Sequence, residues 1–252
     1  MHHGWPNDNA DLICVCREMG CRAAELCRFG ACGARPPSFR AMARGECIYP
    51  DERSCMRFRI VRTGLVATCA TTPDGRRQIL CLNVPGDAVC TMSAKGAECW
   101  SEALAPTEIC ELDFSSRSEQ LRMDPGFSGT LFQITHDRLE RSALHLVTLG
   151  RFDGMERVCG FLADMTRRIG RRRGSGWHLC LSMSREDIAD YLGLNADTVT
   201  RQLTRIKKAG LARFRSPTEC EIPSLERLEA RVPIALAREV ERSSPHPQEM
   251  AS

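Results

Sequence analysis

The sequence feature that most constrains the fold is a pair of short helical segments separated by a glycine, between residues 184 and 209. Residues 184–187, Ser-Arg-Glu-Asp, have the capping-box pattern that opens a first helix, expected to run to Leu192. Gly193 ends this helix, and Asn195 can cap a second one. A short helix, a glycine-containing turn and a second helix form the helix-turn-helix pattern, which indicates a DNA-binding module.

The second helix has the charge that phosphate binding requires. From Arg201 to Arg215 there are six basic residues and no acidic one. Asp197, Thr200 and Arg201 share one face near its start, the end from which a recognition helix contacts base edges. An arginine can bind guanine there, and an acid can accept from the cytosine amino group. The candidate DNA-binding residues are Ser184, Asp197, Thr198, Thr200, Arg201, Arg205, Lys207 and Lys208.

An exposed basic helix that contacts nothing is the alternative interpretation. The caps, the turn and the segment 213–222, which has the pattern of a β-hairpin wing with Ser216-Pro217 at its middle, favour the DNA-binding one.

The preceding residues indicate two other kinds of structure. Residues 44–114 contain short apolar runs separated by turn signals such as Thr-Pro-Asp-Gly at 72–75, which predicts a small β-roll or jelly-roll-like barrel. After residue 126 the period becomes helical. A seam of alternating three- and four-residue spacing comprises Phe132, Thr135, Leu139, Ser142, Leu146 and Leu149. Such a seam is typical of a paired helix, the alternative being a helix that lies on its own barrel.

Two stretches resemble the FNR/FixK branch of the CRP/FNR transcription regulators. They are residues 181–201, over the helix-turn-helix, and residues 72–79 with the Pro-Gly-Asp at 85–87, in the β-roll. The order of β-roll, long helix and winged helix is similar as well, so that the resemblance covers residues 42–230. It implies an α+β fold: a cyclic-nucleotide-binding-like β-roll, a long dimerisation helix and a C-terminal winged helix-turn-helix.

The predicted domains follow from this resemblance. They are a cysteine-rich sensor segment (1–35), a β-roll sensor domain (36–126), a dimerisation helix (127–155), a winged helix-turn-helix DNA-binding domain (156–230) and a tail (231–252).

The resemblance also implies a mode of action. Its members are homodimers that bind inverted repeats of TTGA-like half-sites in double-stranded DNA, and RNA polymerase is an expected further partner. The base-contacting motif of the family is Glu-x-x-Ser-Arg, whereas this chain has Asp197 and Thr200 and keeps Arg201. We therefore expect an FNR-like half-site with a relaxed or shifted preference. No catalytic arrangement is evident, and we expect a regulator rather than an enzyme.

Cysteine is unusually frequent, with 15 in 252 residues. Because the number is odd and no secretion signal precedes it, we expect a cytoplasmic protein without a disulfide framework. Five cysteines fall within 19 residues: Cys14, Cys16, Cys21, Cys27 and Cys32. This density favours metal binding, with a thiol–disulfide switch as the alternative. Seven single cysteines are expected to be core side chains: Cys47, Cys55, Cys69, Cys81, Cys90, Cys159 and Cys180.

Oxygen-sensing FNR proteins hold a [4Fe-4S] cluster with three N-terminal cysteines and one in the β-roll. By this resemblance the predicted ligands are Cys16, Cys21, Cys27 and Cys110, and the trio Cys14, Cys16 and Cys21 is the alternative for the N-terminal three. A FixK-like regulator without a cluster, constitutive or controlled by cysteine oxidation, remains the second interpretation.

Two further classes of ligand are not expected. Related regulators hold a cyclic nucleotide with an Arg-Ser or Arg-Thr pair, and none occurs between Gly86 and Cys110. A membrane span is not expected either, because no apolar run approaches the roughly 20 residues it needs.

Overall fold

Short strands in the first half of the chain form two antiparallel sheets. The computed structural model describes Leu26 and residues 37–50, 57–89, 97–114 and 123–233. The strands of this half are β1 Ser38–Met42, β2 Cys47–Ile48, β3 Arg57–Thr63, β4 Val66–Thr71, β5 Arg77–Asn83, β6 Ala88–Val89, β7 Glu98–Ala103 and β8 Thr107–Asp113. One sheet has the order β1-β8-β3-β6 and the other β2-β7-β4-β5, with antiparallel pairing in both.

Strand β8 shows why these segments pair as they do. Its alternation predicts that Cys110, Leu112 and Phe114 share a face, and all three are buried. Between them, Glu111 accepts from Arg59 on β3 at 2.8 Å. Cross-strand ion pairs fix the register, since a shift by one residue would separate the buried Arg59 from Glu111 and move charged side chains among Cys110, Leu112 and Phe114.

Gly64 makes the tight connection between β3 and β4. Its φ is +90°, and a Cβ there would lie 2.3 Å from Thr107 Oγ1 and 2.6 Å from the Pro106 carbonyl oxygen. Only glycine fits this approach, which places the end of β3 directly against the turn before β8.

A cluster of aromatic rings holds the long helix at 125–151 against this β-roll. Helix α1 spans Pro125–Arg151, and Asp124 Oδ1 accepts from the backbone N–H groups of its first turn. Phe58, Phe114 and Phe127 pack edge to face, with ring centroids 5.2–6.4 Å apart. Leu26 and Cys110 are buried in the same cluster. The cluster therefore joins Leu26, β8 and α1.

A second contact holds α1 farther along. Asp87, in the turn before β6, is almost fully buried, and its Oδ2 accepts from the Val84 N–H. Its Oδ1 accepts from Arg141 at 3.2 Å, while Arg138 donates to the Ala88 carbonyl at 3.4 Å. The Pro-Gly-Asp turn thus places a carboxylate against the helix.

The seam of α1 lies on a different side and is open. Phe132, Leu139 and Leu146 are 72%, 66% and 70% exposed, whereas Leu131 and Ile134 pack against the aromatic cluster. The helix therefore does lie on its own β-roll, the alternative considered from sequence, but it does so with a face other than the seam.

The second half of the chain is a compact unit of its own, residues 147–252. Its elements are α2 Gly154–Ile169, β9 Arg171–Arg173, β10 Gly176–Cys180, α3 Arg185–Leu192, α4 Ala196–Lys208, β11 Arg213–Phe214, β12 Glu219–Ile222 and α5 Leu225–Glu229. The sheet order is β11-β12-β10-β9. The mixture of helices with antiparallel sheets confirms the predicted α+β class. The predicted single helix over 127–155 is wrong at its end: α1 stops at Arg151, and α2 begins at Gly154 because the Asp153 side chain caps a new helix.

The arginine-rich segment before the helix-turn-helix is part of a strand pair. Residues 171–180 form a β-hairpin in which Arg172 pairs with Trp177, and Gly174 turns the chain at a φ of +58°. No helix in the described part of the chain is long and apolar enough to cross a membrane.

The single cysteines expected in the core differ in burial. Cys69 and Cys159 are fully buried, and burial raises the pKa of each thiol to about 11, which suits inert core side chains. Cys47 and Cys81 are half-buried, and Cys180 is exposed, so its assignment to the core is wrong: it faces solvent at the end of β10. Two other single cysteines, at positions 55 and 90, lie outside the described residues.

Candidate nucleic-acid interface

Helix α3 begins with the predicted capping box. The Ser184 hydroxyl accepts from the Asp187 N–H at 3.0 Å, and the Asp187 carboxylate accepts from the Ser184 N–H at 2.9 Å. The helix ends at Gly193, which has the left-handed φ of 59° and donates its N–H to the Ala189 carbonyl. Both ends are therefore fixed by the residues that the sequence singled out.

Helix α4 begins at the predicted cap as well. Asn195 Oδ1 accepts from the Thr198 N–H at 2.7 Å. Val199, Leu203 and Ile206, spaced four and three residues apart, form its buried face, and the helix packs on α2 and α3. This packing fixes which side chains point outward.

The outward face of α4 is polar and basic. Asp197, Thr200, Arg201, Arg205, Lys207 and Lys208 are exposed, while Thr198 is half-buried. Among the described residues, neither lysine nor Arg201 takes part in an ion pair, so this positive charge is not neutralised within the chain. The six predicted residues thus share one solvent-facing surface, suited to phosphates and base edges.

Two side chains on this face already have local partners. Arg201 donates to Thr198 Oγ1 at 2.9 Å, which holds the guanidinium near the helix start. Thr200 donates its hydroxyl to the Ala196 carbonyl at 2.9 Å. The Thr200 hydroxyl therefore has no proton left to donate to a base, and its methyl is available for apolar contact.

The wing is paired to the strand that precedes the helix-turn-helix. Strand β12 pairs with β10, and the Leu181 N–H donates to the Thr218 carbonyl at 2.7 Å. Burial raises the pKa of the Cys220 thiol of β12 to about 12, because the thiolate would lose its hydration there. The wing tip and the start of α3 are thus held at the same end of β10.

Arg157 is a functional residue that sequence reasoning missed. Its guanidinium donates to the carbonyls of Leu149 at 2.8 Å, Phe152 at 3.0 Å and Leu192 at 2.9 Å, and also to that of Gly193 at 3.3 Å. It therefore joins the last turn of α1 to the turn of the helix-turn-helix. One arginine among the three of an amphipathic helix gives no sequence signal for such a role.

The predicted cluster ligands are only partly within the described residues. Cys110 carries a thiol, is 5% exposed and packs in the cluster that contains Leu26. Cys16, Cys21 and Cys27, like the alternative Cys14, lie outside the described residues. Among the described residues no three His, Cys, Asp or Glu side chains are grouped to hold a metal ion.

Comparison with known proteins gives consistent matches. Residues 156–231 match the Crp-like helix-turn-helix domain. The nitrogen fixation regulation protein FixK of Azorhizobium caulinodans is 34% identical over 67% of this chain and 68% of its own. FixK of Bradyrhizobium diazoefficiens is 31% identical over 75% of this chain and 78% of its own. The structure of FixK2 from Bradyrhizobium japonicum has a TM-score of 0.71 and 30% identity, covering 80% of this chain and all of that one.

The contacts of Arg157 give a testable expectation. Arg157→Lys keeps the charge, but an ammonium cannot reach four carbonyls in this planar arrangement, so buried acceptors lose their donors. We expect a loss of about 1–3 kcal/mol and a fall of several degrees in the melting temperature, measured by circular dichroism. The matched control is Arg151→Lys at an exposed position. Equal melting temperatures for the two variants would contradict the bridging role.

Proposed function

Because the chain belongs to the CRP/FNR family of transcription regulators, in its FixK branch, we propose that it binds inverted-repeat DNA as a homodimer and responds to oxygen or redox state through its cysteines. It is a DNA-binding regulator and not an enzyme. The observation that carries the proposal is the un-neutralised basic face of α4, which capped ends and a buried apolar face hold outward. RNA polymerase is the partner on which such a regulator would act.

The half-site is proposed to be of the TTGA type. Arg201 has the planar donor pair that guanine O6 and N7 accept, and Asp197 can accept from a cytosine amino group on the other strand. Since the Thr200 hydroxyl is engaged by the Ala196 carbonyl, its methyl is the group that faces the groove. A methyl suits the 5-methyl group of thymine, so that Thr200 favours thymine through apolar contact rather than a hydrogen bond.

Deoxyuridine tests this contact, because it lacks only the 5-methyl group of thymidine. Replacing half-site thymines by deoxyuridine should weaken binding of the wild type about three- to tenfold at one position, measured by fluorescence anisotropy. The Thr200→Ser variant should bind both duplexes equally. If the wild type does not distinguish deoxyuridine at any half-site position, the methyl contact does not exist.

The open seam of α1 supports the homodimer. Phe132, Leu139 and Leu146 recur every seven residues and are exposed, as expected of a coiled-coil seam that lacks its partner helix. A second copy of α1 would cover them. Two recognition helices would then be available for half-sites about one helical turn apart.

A single charge on the seam should separate the chains. Leu139→Glu is expected to give a monomer in analytical ultracentrifugation at concentrations where the wild type is a dimer, because two carboxylates would meet across the seam. The monomer should remain folded, since Leu139 is 66% exposed. Gln133→Glu, which adds the same charge on the opposite side of α1, should stay dimeric. A dimeric Leu139→Glu protein would place the interface elsewhere.

The sensor is proposed to be a [4Fe-4S] cluster held by Cys110 and three N-terminal cysteines. When bound, such a cluster supplies an oxygen- and redox-sensitive centre held by thiolates. Cys110 fits a ligand's position because it packs in the same group of buried apolar side chains as Leu26. Leu26 is the residue directly before Cys27 in the sequence. The same cluster contains Phe127, the buried residue in the first turn of α1.

This arrangement suggests how the chain would transmit a signal. Leu26 and Cys110 anchor the N-terminal segment and β8 to one apolar cluster, and Phe127 anchors α1 to it. Release of the N-terminal segment would loosen the packing around Phe127 and alter the population of paired α1 helices. Operator affinity would then follow the redox state.

A FixK-like regulator without a cluster is the second candidate. It is favoured by the comparisons, in which the relatives described above are FixK proteins. In that case the N-terminal cysteines act as a thiol switch or have no regulatory role, while the DNA-binding surface acts as proposed.

Iron content separates the two candidates. Protein purified without oxygen should contain about four irons per chain, and Cys110→Ala should lose most of them together with the visible absorption band. Cys99→Ala is the matched control, because both thiols are 5% exposed in strands of the β-roll, Cys99 in β7 and Cys110 in β8 of the other sheet. Iron-free wild-type protein would reject the cluster and leave the second candidate.

A further inference from the structure

The β9–β10 hairpin carries the densest positive charge of the second unit outside the recognition helix. Residues 165–185 include six arginines and no Asp or Glu. Three of them, Arg171, Arg172 and Arg173, form the whole of β9, and all three are exposed. Strand β9 is the edge of its sheet, on the side opposite the wing strand β11. The proposed contacts of α4 do not use this charge.

The charges of the arginines that precede the hairpin are neutralised by ion pairs, whereas those of Arg171 and Arg173 are not. Arg167 pairs with Glu229, and Arg168 pairs with Asp164 at 3.2 Å. Arg171 and Arg173 make no ion pair among the described residues. Two guanidinium groups therefore face solvent with their charge uncompensated.

The hairpin also holds its arginines in order. Gly174 turns the chain at positive φ, and Arg173 pairs with Gly176 across the turn. The Arg172 guanidinium lies over the Trp177 ring, 4.5 Å from its centroid. Stacking on an aromatic ring leaves guanidinium N–H donors free at the edge, which is the geometry that suits a phosphate oxygen.

The spacing fits a nucleic-acid strand. Arg171 and Arg173 project from the same face of β9, about 7 Å apart, a separation similar to that of successive phosphates in one strand. A guanidinium binds phosphate oxygens in a bidentate way, so that two adjacent phosphates could be held by this pair.

The sheet places the hairpin away from the half-site. The wing tip and the start of α3 lie at the Cys180 end of β10, where Leu181 bonds to Thr218. The arginines lie toward the other end, where Gly176 faces Arg173. Four steps along a strand are about 14 Å, which corresponds to roughly four base pairs of DNA at 3.4 Å each.

We propose that Arg171 and Arg173 form a second DNA contact that holds the phosphates of the duplex flanking each half-site. The proposal rests on the proposed function, because the half-site fixes where the flank begins. The flanking DNA reaches the hairpin when the duplex curves toward the protein. The stacking of Arg172 on Trp177 keeps strand β9 in position. Operator length, as well as sequence, then determines affinity.

The test compares two duplexes, both with TTGA-type half-sites about one helical turn apart. One duplex ends at the outer edges of the half-sites, and the other extends about ten base pairs beyond each. The full-length Arg171→Ala/Arg173→Ala variant should bind the long duplex about tenfold more weakly than the wild type does and bind the short one equally. On the long duplex the slope of log affinity against log salt should fall by about 2 per bound chain.

Two controls separate this contact from other effects. Arg40→Ala/Arg76→Ala removes two exposed arginines from the β-roll and should leave both affinities unchanged. Arg171→Lys/Arg173→Lys keeps the charge and should restore the salt slope. Equal melting temperatures would exclude a folding defect.

The outcomes are distinct. If the alanine variant binds the long duplex with the same affinity and the same salt slope as the wild type, the inference is overturned. If its only defect is in transcription with RNA polymerase, the hairpin contacts a protein partner instead of DNA. If the wild type shows no preference for TTGA half-sites over a scrambled duplex, the proposed half-site is wrong. The salt slope on the long scrambled duplex still decides whether the hairpin contacts DNA.

Discussion

The DNA-binding surface depends on a single half-buried guanidinium. Arg157 donates to the carbonyls at the end of α1 and at the turn between α3 and α4. Carbonyls at the end of a helix have no partner within it, and leaving them unbonded inside the protein is costly. One side chain therefore stabilises the helix end, orients the helix-turn-helix turn and makes the two depend on each other. The caps at Ser184 and Asn195 then only have to start helices whose positions are already fixed.

The sequence predicts those elements whose signals are local. The capping box at Ser184, the glycine at 193 and the apolar spacing of α4 each determine structure within one or two turns, and the structure agrees with them. The same holds for Gly64 and for the alternation in β8. These features depend on backbone geometry and on which side chains can be buried, so that a single sequence contains the information.

Long-range contacts were the part that the sequence could not predict. The bond from Arg141 to Asp87 joins residues 54 positions apart, and no local pattern in the sequence distinguishes the buried Asp87 from carboxylates that face solvent. The hairpin at 171–180 was missed because three successive arginines resemble a solvated connection, although Trp177 opposite Arg172 favours a strand. Cys180 shows the same limit: an apolar neighbourhood in sequence does not say which face of a strand is turned to solvent.

The open seam of α1 has a consequence for how such a regulator would respond to its own abundance. If two chains must associate before either half-site is held firmly, operator occupancy at low concentration rises with the square of the chain concentration rather than in proportion to it. A modest change in synthesis or degradation of the chain then produces a larger change in promoter occupancy. Three exposed apolar side chains, Phe132, Leu139 and Leu146, would thereby make gene dosage an input to the circuit in addition to any chemical signal.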